Sequence, residues 1–210
     1  MRYTGPSCRQ CRREGTKLFL KGTKCFTEKC PVERRPYAPG QHGQATARRR
    51  KASEYSKQLR EKQKIKRIYG LSEKQFRNTF EKVSTAPGIT GHNLLAALET
   101  RLDNVVYRMG FARSRAEARQ LVNHRHFAVN GRPTNIPSFG TKVGDKIEVR
   151  ESRRGREIFK TAAETMKSAA IPEWVSIDAA KLAGSVMAEP AREQMPLEFN
   201  EQLVVEFYSR

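Results

Sequence analysis

Across 210 residues the chain carries 41 Lys and Arg against 22 Asp and Glu, a net charge of +19 with a pI near 10.2. A field of that size draws polyanions, nucleic acid first among them, and a hydrophobic share of 37% supports small cores instead of one generous core. No apolar run is long enough to span a bilayer, and MRYTGPSCRQC at the start has no apolar signal segment, so a reducing compartment is expected and the four cysteines read as metal ligands before disulfides.

The charge is concentrated in two regions. Residues 1–70 hold 20 Lys and Arg against 5 Asp and Glu, and residues 101–160 hold 14 against 6, whereas residues 161–210 are acidic, with 4 against 8. Two dense basic regions with so few balancing acids point to a polyanion partner more than to solvated helix faces.

Within residues 1–45, Cys8 and Cys11 are two apart and Cys25 and Cys30 four apart, with 13 residues between the pairs. Two such pairs can close a tetrahedral ion with no open position for chemistry. Structural zinc is the first reading, and an iron–sulfur cluster or free thiols are the alternatives. With Leu18, Phe19, Leu20 and Phe26 as its few large apolar residues, the segment would draw most of its folding energy from the metal. Pro36, Pro39, Gly40 and Gly43 then suggest an extended arm carrying Arg34, Arg35, Tyr37, Gln41 and His42, followed by Arg48, Arg49, Arg50 and Lys51. A basic arm with an interleaved aromatic suits insertion along phosphates. His42 serves as a polar RNA or solvent contact.

Residues 46–98 read as a helical domain. Ser53 caps a helix to about Tyr69, stopped by Gly70, with a thin apolar stripe (Tyr55, Leu59, Ile65, Ile68) and a basic remainder that includes Lys57, Arg60 and Lys64. A second helix opens at Ser72 with Gln75 as capping-box partner, facing Phe76, Phe80 and Val83 to a core. A third, from about Asn93 to Met109, shows Leu94, Leu95, Leu98, Leu102, Val105, Val106 and Met109 at helical spacing.

Residues 99–162 read as a compact RNA-binding module. Ser114 and Glu117 cap a short helix to about His124, with Ala118, Leu121 and Val122 inward and Arg115, Arg119, Gln120 and Asn123 outward; Arg108, Arg113, Arg125 and His126 flank them. Phe127–Val129 is a strand, Asn130–Gly131 a hairpin turn, and Lys146–Val149 a further strand after a turn at 143–145. Residues 163–210 should pack back, with a helix from about Glu157 to Lys167, an extended segment that buries Trp174, a short helix over 178–187 and a strand or anchored segment over 203–208. The stretch 171–210 would complete the helical domain. The fold class expected is therefore α+β: a metal-bound N-terminal segment, a helical domain and an inserted α/β module with a short antiparallel sheet.

FARSRAEARQLVNHRHFAVNGRPTNIPSFGTKVGDKIEV resembles the RNA-binding module named after ribosomal protein S-four of the small subunit. RPYAPGQHG, the helix ending IYGLSEKQF and the closing LEFNEQLVVEFYSR extend the resemblance to the bacterial form of that family over essentially the whole chain. The resemblance implies direct binding to small-subunit rRNA, an early part in subunit assembly, an influence on decoding accuracy near the path of the mRNA, contact with neighbouring small-subunit ribosomal proteins, and a cytoplasmic, ribosome-bound location. It implies no enzymatic activity, no membrane and no small-molecule substrate. Carried over by position, the implied RNA contacts are Arg34, Arg35, Tyr37, Gln41, His42, Arg48, Arg49, Arg50, Lys51, Lys57, Arg60, Lys64 and Tyr69. On the module they are Arg108, Arg113, Ser114, Arg115, Arg119, Gln120, Asn123, His124, Arg125 and His126.

The alternative is a free RNA-binding or RNA-modifying factor, since similar modules are appended to pseudouridine synthases and tyrosyl-tRNA synthetases. Arg101-Leu102-Asp103 resembles the synthases' catalytic RLD. It precedes the module, too little chain follows for a catalytic domain of ~150 residues or more, and Asp103 reads as the partner of a nearby arginine.

Overall fold

The computed structural model describes residues 3–46, 53–168, 171–195 and 199–209. Arg48, Arg49, Arg50 and Lys51 lie outside the described residues. The chain divides into two compact units, residues 1–94 with 197–210 and residues 95–196.

The first unit begins with α1 (Ser7–Glu14), ended by Gly15 at φ +71°, and a 3-10 turn over Gly22–Phe26. Short helical turns follow at α2 (Pro31–Arg34) and α3 (Gly43–Thr46). Helix α4 (Glu54–Ile68) starts where the Ser56 N–H donates to Ser53 Oγ at 3.3 Å. It stops at Gly70 (φ +62°), where the N–H of Leu71 reaches back to the Lys66 carbonyl at 3.0 Å. Helix α5 (Glu73–Ser84) opens with the Gln75 N–H donating to Ser72 Oγ at 3.3 Å, and Phe76 and Phe80 are buried.

Helix α6 (Thr90–Glu99) runs from the first unit into the second, and α7 (Leu102–Arg108) follows. One continuous helix from Asn93 to Met109 was expected; the structure breaks it at Thr100–Arg101. Arg101 is extended (ψ 137°), and the loop 137–141 takes over the hydrogen bonds that a helix would make. Leu102 N–H donates to Phe139 O at 2.8 Å, Asp103 N–H to Pro137 O at 3.1 Å, and Thr141 N–H to Thr100 O at 2.9 Å. The apolar spacing survives the break because every one of Leu98, Leu102, Val105, Val106 and Met109 is buried.

In the second unit, α8 (Arg115–Asn123) precedes β1 (Phe127–Val129), β2 (Arg132–Thr134) and β3 (Lys146–Val149). Asn130 and Gly131 take φ +49° and +76°, the pair of left-handed residues that a two-residue hairpin needs. Helices α9 (Glu151–Arg154) and α10 (Glu157–Ser168) lead to β4 (Val175–Asp178) and β5 (Ala183–Val186). The antiparallel sheet has the order β2-β1-β3-β5-β4, with Phe127 opposite Val149 and Ile147 opposite Gly184. Its core gathers Val105, Met109, Phe111, Leu121, Phe127, Ile147, Phe159 and Trp174.

Two expectations for the tail are corrected. A helix was expected over 178–187, but Asp178 Oδ1 accepts the N–H groups of Ala180 (3.1 Å) and Lys181 (3.0 Å), turning the chain into a β-hairpin that pairs with β3. Residues 175–186 thus extend the module's sheet instead of completing the helical domain. Leu203–Tyr208, expected as a strand or anchored segment, is anchored but is no strand: it belongs to helix α11 (Glu201–Tyr208), capped by Asn200 Oδ1. Leu203, Val204, Phe207 and Tyr208 share one helical face, and α11 lies along α4, where Gln58 Nε2 donates to Glu206 at 2.9 Å and Lys62 Nζ sits 4.6 Å from the Phe207 ring centroid. Among the described residues no helix is long and apolar enough to cross a membrane.

Candidate nucleic-acid interface

Helix α8 presents two kinds of side chain. Arg113, Gln120, Asn123, His124 and Arg125 are exposed, with Arg113 just before the helix and His124 and Arg125 just after it. Ser114 is committed to the cap, its Oγ accepting from the Glu117 N–H at 3.3 Å, while the Glu117 carboxylate accepts the Arg113 N–H at 2.7 Å. Arg125 takes φ +57°, the left-handed turn that ends the helix and carries the chain into β1.

Arg115 and Arg119 were expected on an outward basic face with Arg108 flanking them, and the structure corrects this. The Glu99 carboxylate, 1% exposed, accepts from Arg108 Nε (2.8 Å) and NH2 (2.7 Å) and from Asn104 Nδ2 (2.7 Å). Arg115 Nε donates to Asn104 Oδ1 at 2.7 Å, and its guanidinium lies 4.6 Å from the Tyr107 ring centroid. Asp103 takes both Arg101 nitrogens (Nε at 3.1 Å, NH2 at 3.0 Å) and Arg119 NH1 at 3.0 Å. With Arg115 NH2 also 3.7 Å from Glu99 Oε1, two buried carboxylates hold four guanidinium groups. The cluster keeps positive charge, but its arginines are oriented by the protein and serve first to bind α8 to α7. His126 is also corrected: it is 4% exposed, its ring set edge-on against Phe159.

In the N-terminal unit the arm is not free-standing. Arg12 Nε donates to the carbonyls of Arg35 (3.1 Å) and Tyr37 (3.0 Å), and its guanidinium lies 4.8 Å from the Tyr37 ring centroid. The strap returns on itself at Gly43, where a Cβ would fall 1.8 Å from the Ala38 carbonyl oxygen. Arg34, Arg35, Gln41 and His42 remain exposed on it and Tyr37 is half-buried. On α4, Lys57 pairs with Glu54 (2.6 Å), Lys64 with Glu61 (2.5 Å) and Arg60 with Glu14 (3.4 Å). Arg67 also pairs with Glu14, whose carboxyl burial pushes above its ordinary range against the pull of the two arginines. Tyr69, expected to meet RNA, is 4% exposed at the C-terminal cap of α4, a helix whose Ile65 and Ile68 are also buried.

Cys11, Cys25 and Cys30 are buried and Cys8 is half-buried, and no disulfide joins any two of them. Burial pushes the Cys11 thiol up; an N–H from Leu18 opposes this, and the other three cysteines add to it. The Lys21 N–H donates to Cys25 Sγ at 3.4 Å. The donor set is that of a closed tetrahedral metal site, yet among the described residues no group of three or more His, Cys, Asp or Glu is gathered closely enough to hold an ion.

Sequence reasoning passed over Arg150, Arg153, Arg154 and Arg156. Arg153 and Arg150 sit, with Arg156, near enough to His126 for their charges to act on its ring. The signal was the run RESRRGR itself, four arginines within seven residues.

Residues 2–99 match the family described as ribosomal protein S4/S9 N-terminal domain, and residues 100–147 match the S4 domain. The small ribosomal subunit protein uS4 of Syntrophomonas wolfei is 61% identical over 209 residues, covering 100% of this chain and 99% of its own length. The proteins of the same name from Desulforamulus reducens and Thermus thermophilus are 56% and 54% identical, with the same coverage. Full-length similarity of that degree, on a fold whose basic side chains are set as described, places the chain in the uS4 family of small ribosomal subunit proteins.

Proposed function

We propose that the chain is a structural, non-enzymatic protein of the small ribosomal subunit that binds rRNA directly. The observation that carries this is the exposed set Arg113, Gln120, Asn123, His124 and Arg125 along α8 and at its two ends, in a chain of net charge +19. Guanidinium, imidazole and amide groups at such positions can take phosphate oxygens and base edges. Arg34, Arg35 and Gln41 on the N-terminal strap offer a second contact surface. The reading as an RNA-modifying enzyme loses its candidate residue: Asp103 is 5% exposed and fully engaged by Arg101 and Arg119, so it has no access to a base.

On the same reading the protein joins the subunit early in assembly, touches neighbouring small-subunit proteins, lies near the mRNA path, influences decoding accuracy and works in the cytoplasm on the ribosome. The four cysteines would hold a structural zinc ion once drawn together, a role supported by their spacing in two pairs and by Cys8, Cys25 and Cys30 all lying near enough to act on the Cys11 thiol. When bound, the ion would tie α1 to the loop that carries Cys25 and Cys30. Tagged protein expressed in a bacterial cell should sediment with the small subunit; sedimentation free of ribosomes contradicts the proposal.

A further inference from the structure

Residues 150–156 leave β3, form the single turn of α9 and enter α10. Arg150 ties the stretch to the segment between α8 and β1, and two local turns follow. Arg150 N–H donates to the His126 carbonyl at 3.0 Å, Arg153 N–H to the Arg150 carbonyl at 2.8 Å and Arg156 N–H to the Arg153 carbonyl at 3.2 Å. The Arg150 guanidinium donates to the Arg125 carbonyl at 3.3 Å. His126 is 4% exposed, with its ring centroid 5.5 Å from that of Phe159 and 6.2 Å from that of His124.

Two polar atoms in this cluster are buried without a hydrogen-bond partner, Nδ1 of His126 and Nε of Arg153. Such atoms are few in folded proteins and call for a reason. The charge balance points the same way. Burial, and then the charges of Arg156, Arg153, His124 and Arg150, hold His126 below its ordinary value, so a ring favoured neutral stands among guanidinium groups. Glu151 and Glu157 belong to the same stretch, and among the described residues neither forms an ion pair with these arginines.

We propose that Arg150, Arg153 and Arg156, arranged about His126, form a phosphate-binding site that grips the backbone of an RNA strand. The site rests on the reading of the chain as an rRNA-binding protein and adds a contact point beyond residue 147, where the S4-domain match ends. Guanidinium groups with no carboxylate partner suit the paired oxygens of a phosphodiester. Arg156 is exposed, and so are the adjoining His124 and Arg125, which leaves room for a strand to run on from the site toward the end of α8. A bound phosphate would also favour protonation of His126, since it offsets the guanidinium charges that now oppose it.

The test is filter binding of a small-subunit rRNA fragment by the full chain and by Arg153→Gln plus Arg156→Gln. The double variant should keep its far-ultraviolet spectrum and bind about tenfold more weakly at physiological salt, with a log–log salt slope shallower by roughly 1.5, the value for two lost phosphate contacts. If the double variant does not fold, Arg156→Gln alone, at an exposed position, should still flatten the slope by about 0.7. A folded variant with wild-type affinity and slope overturns the site while leaving the broader reading intact. A wild type with no preference for small-subunit rRNA overturns the broader reading itself. Nitrogen-15 spectra of the His126 ring separate the sources of phosphate: a shift toward the protonated form with the rRNA fragment, absent with millimolar inorganic phosphate, is expected. An equal shift with inorganic phosphate alone makes it a free-phosphate site and overturns the assignment to RNA.

Discussion

Arg119 NH1 donates to Asp103 Oδ2 at 3.0 Å, on the same carboxylate that Arg101 grips with two nitrogens. The pair joins α8 to α7 at a point where the Asp103 side chain is 7% and the Arg119 side chain 17% exposed. Removing one partner of such a pair strands charge in a poorly solvated place. Asp103→Ala should therefore destabilise the second unit by about 3–5 kcal/mol, read as a lowered urea midpoint, and a loss under 1 kcal/mol would show the pair to be dispensable.

The same geometry changes how the α8 arginines should be probed. Arg115→Glu plus Arg119→Glu sets new carboxylates against Glu99 and Asp103, so the variant should lose fold and rRNA binding together. Arg113→Gln plus Asn123→Ala touches only exposed side chains. It should melt within about 0.5 kcal/mol of wild type and still bind rRNA severalfold more weakly. Unchanged affinity in that variant would remove the ends of α8 from the interface.

Glu73 gives the first unit a pH signature. Burial raises its pKa, but the hydrogen bonds from Lys62 (2.5 Å) and Lys66 (2.7 Å) and their charges outweigh this and pull it down to about 2. A folded pKa below the unfolded one means the stabilisation is fully present above the unfolded value, near 4.5. It is lost as the pH falls from there through about 2. Because the Glu73 side chain is 47% exposed, screening should hold the effect to about 1 kcal/mol or less. Glu73→Gln should lower the urea midpoint at neutral pH and converge with wild type in acid; parallel curves at all pH values would discount the interaction.

Gly43 stands where a Cβ would meet the Ala38 carbonyl oxygen at 1.8 Å. Gly43→Ala should open the 38–43 turn at a cost of about 1–3 kcal/mol, seen as faster proteolysis of the strap. Protection equal to wild type would mean that the strap has a second way to turn.

Metal analysis of protein purified without chelator should return one zinc per chain, and removal of the ion should expose residues 1–45 to protease. Visible absorption with bound iron would identify a cluster instead, and protein with neither metal would leave the four thiols as packing groups.

Much of the fold was legible in the sequence because its signals are local. Ser53, Ser72 and Ser114 each cap the helix they precede, and Asn130–Gly131 makes its hairpin. The misses arose where a distant segment decides. The loop 137–141 breaks the helix at Arg101, strand β3 recruits residues 183–186, and α4 offers α11 a surface that makes a helix of residues 201–208. The interface was legible as composition and not as geometry: a sequence shows Arg108, Arg115 and Arg119 as positive charge, but Glu99 and Asp103 decide where they point. Tyr69 and His126 failed for the same reason, since their burial depends on which neighbours fold over them.

Selective rRNA binding through basic side chains can be read from filter binding of the full chain to small-subunit rRNA across a salt series. Binding should be tight and persist against competitor RNA, with an affinity that falls steeply and linearly in log salt, by about 0.7–0.9 per phosphate contact. Equal binding to unrelated RNAs at every salt concentration would contradict it.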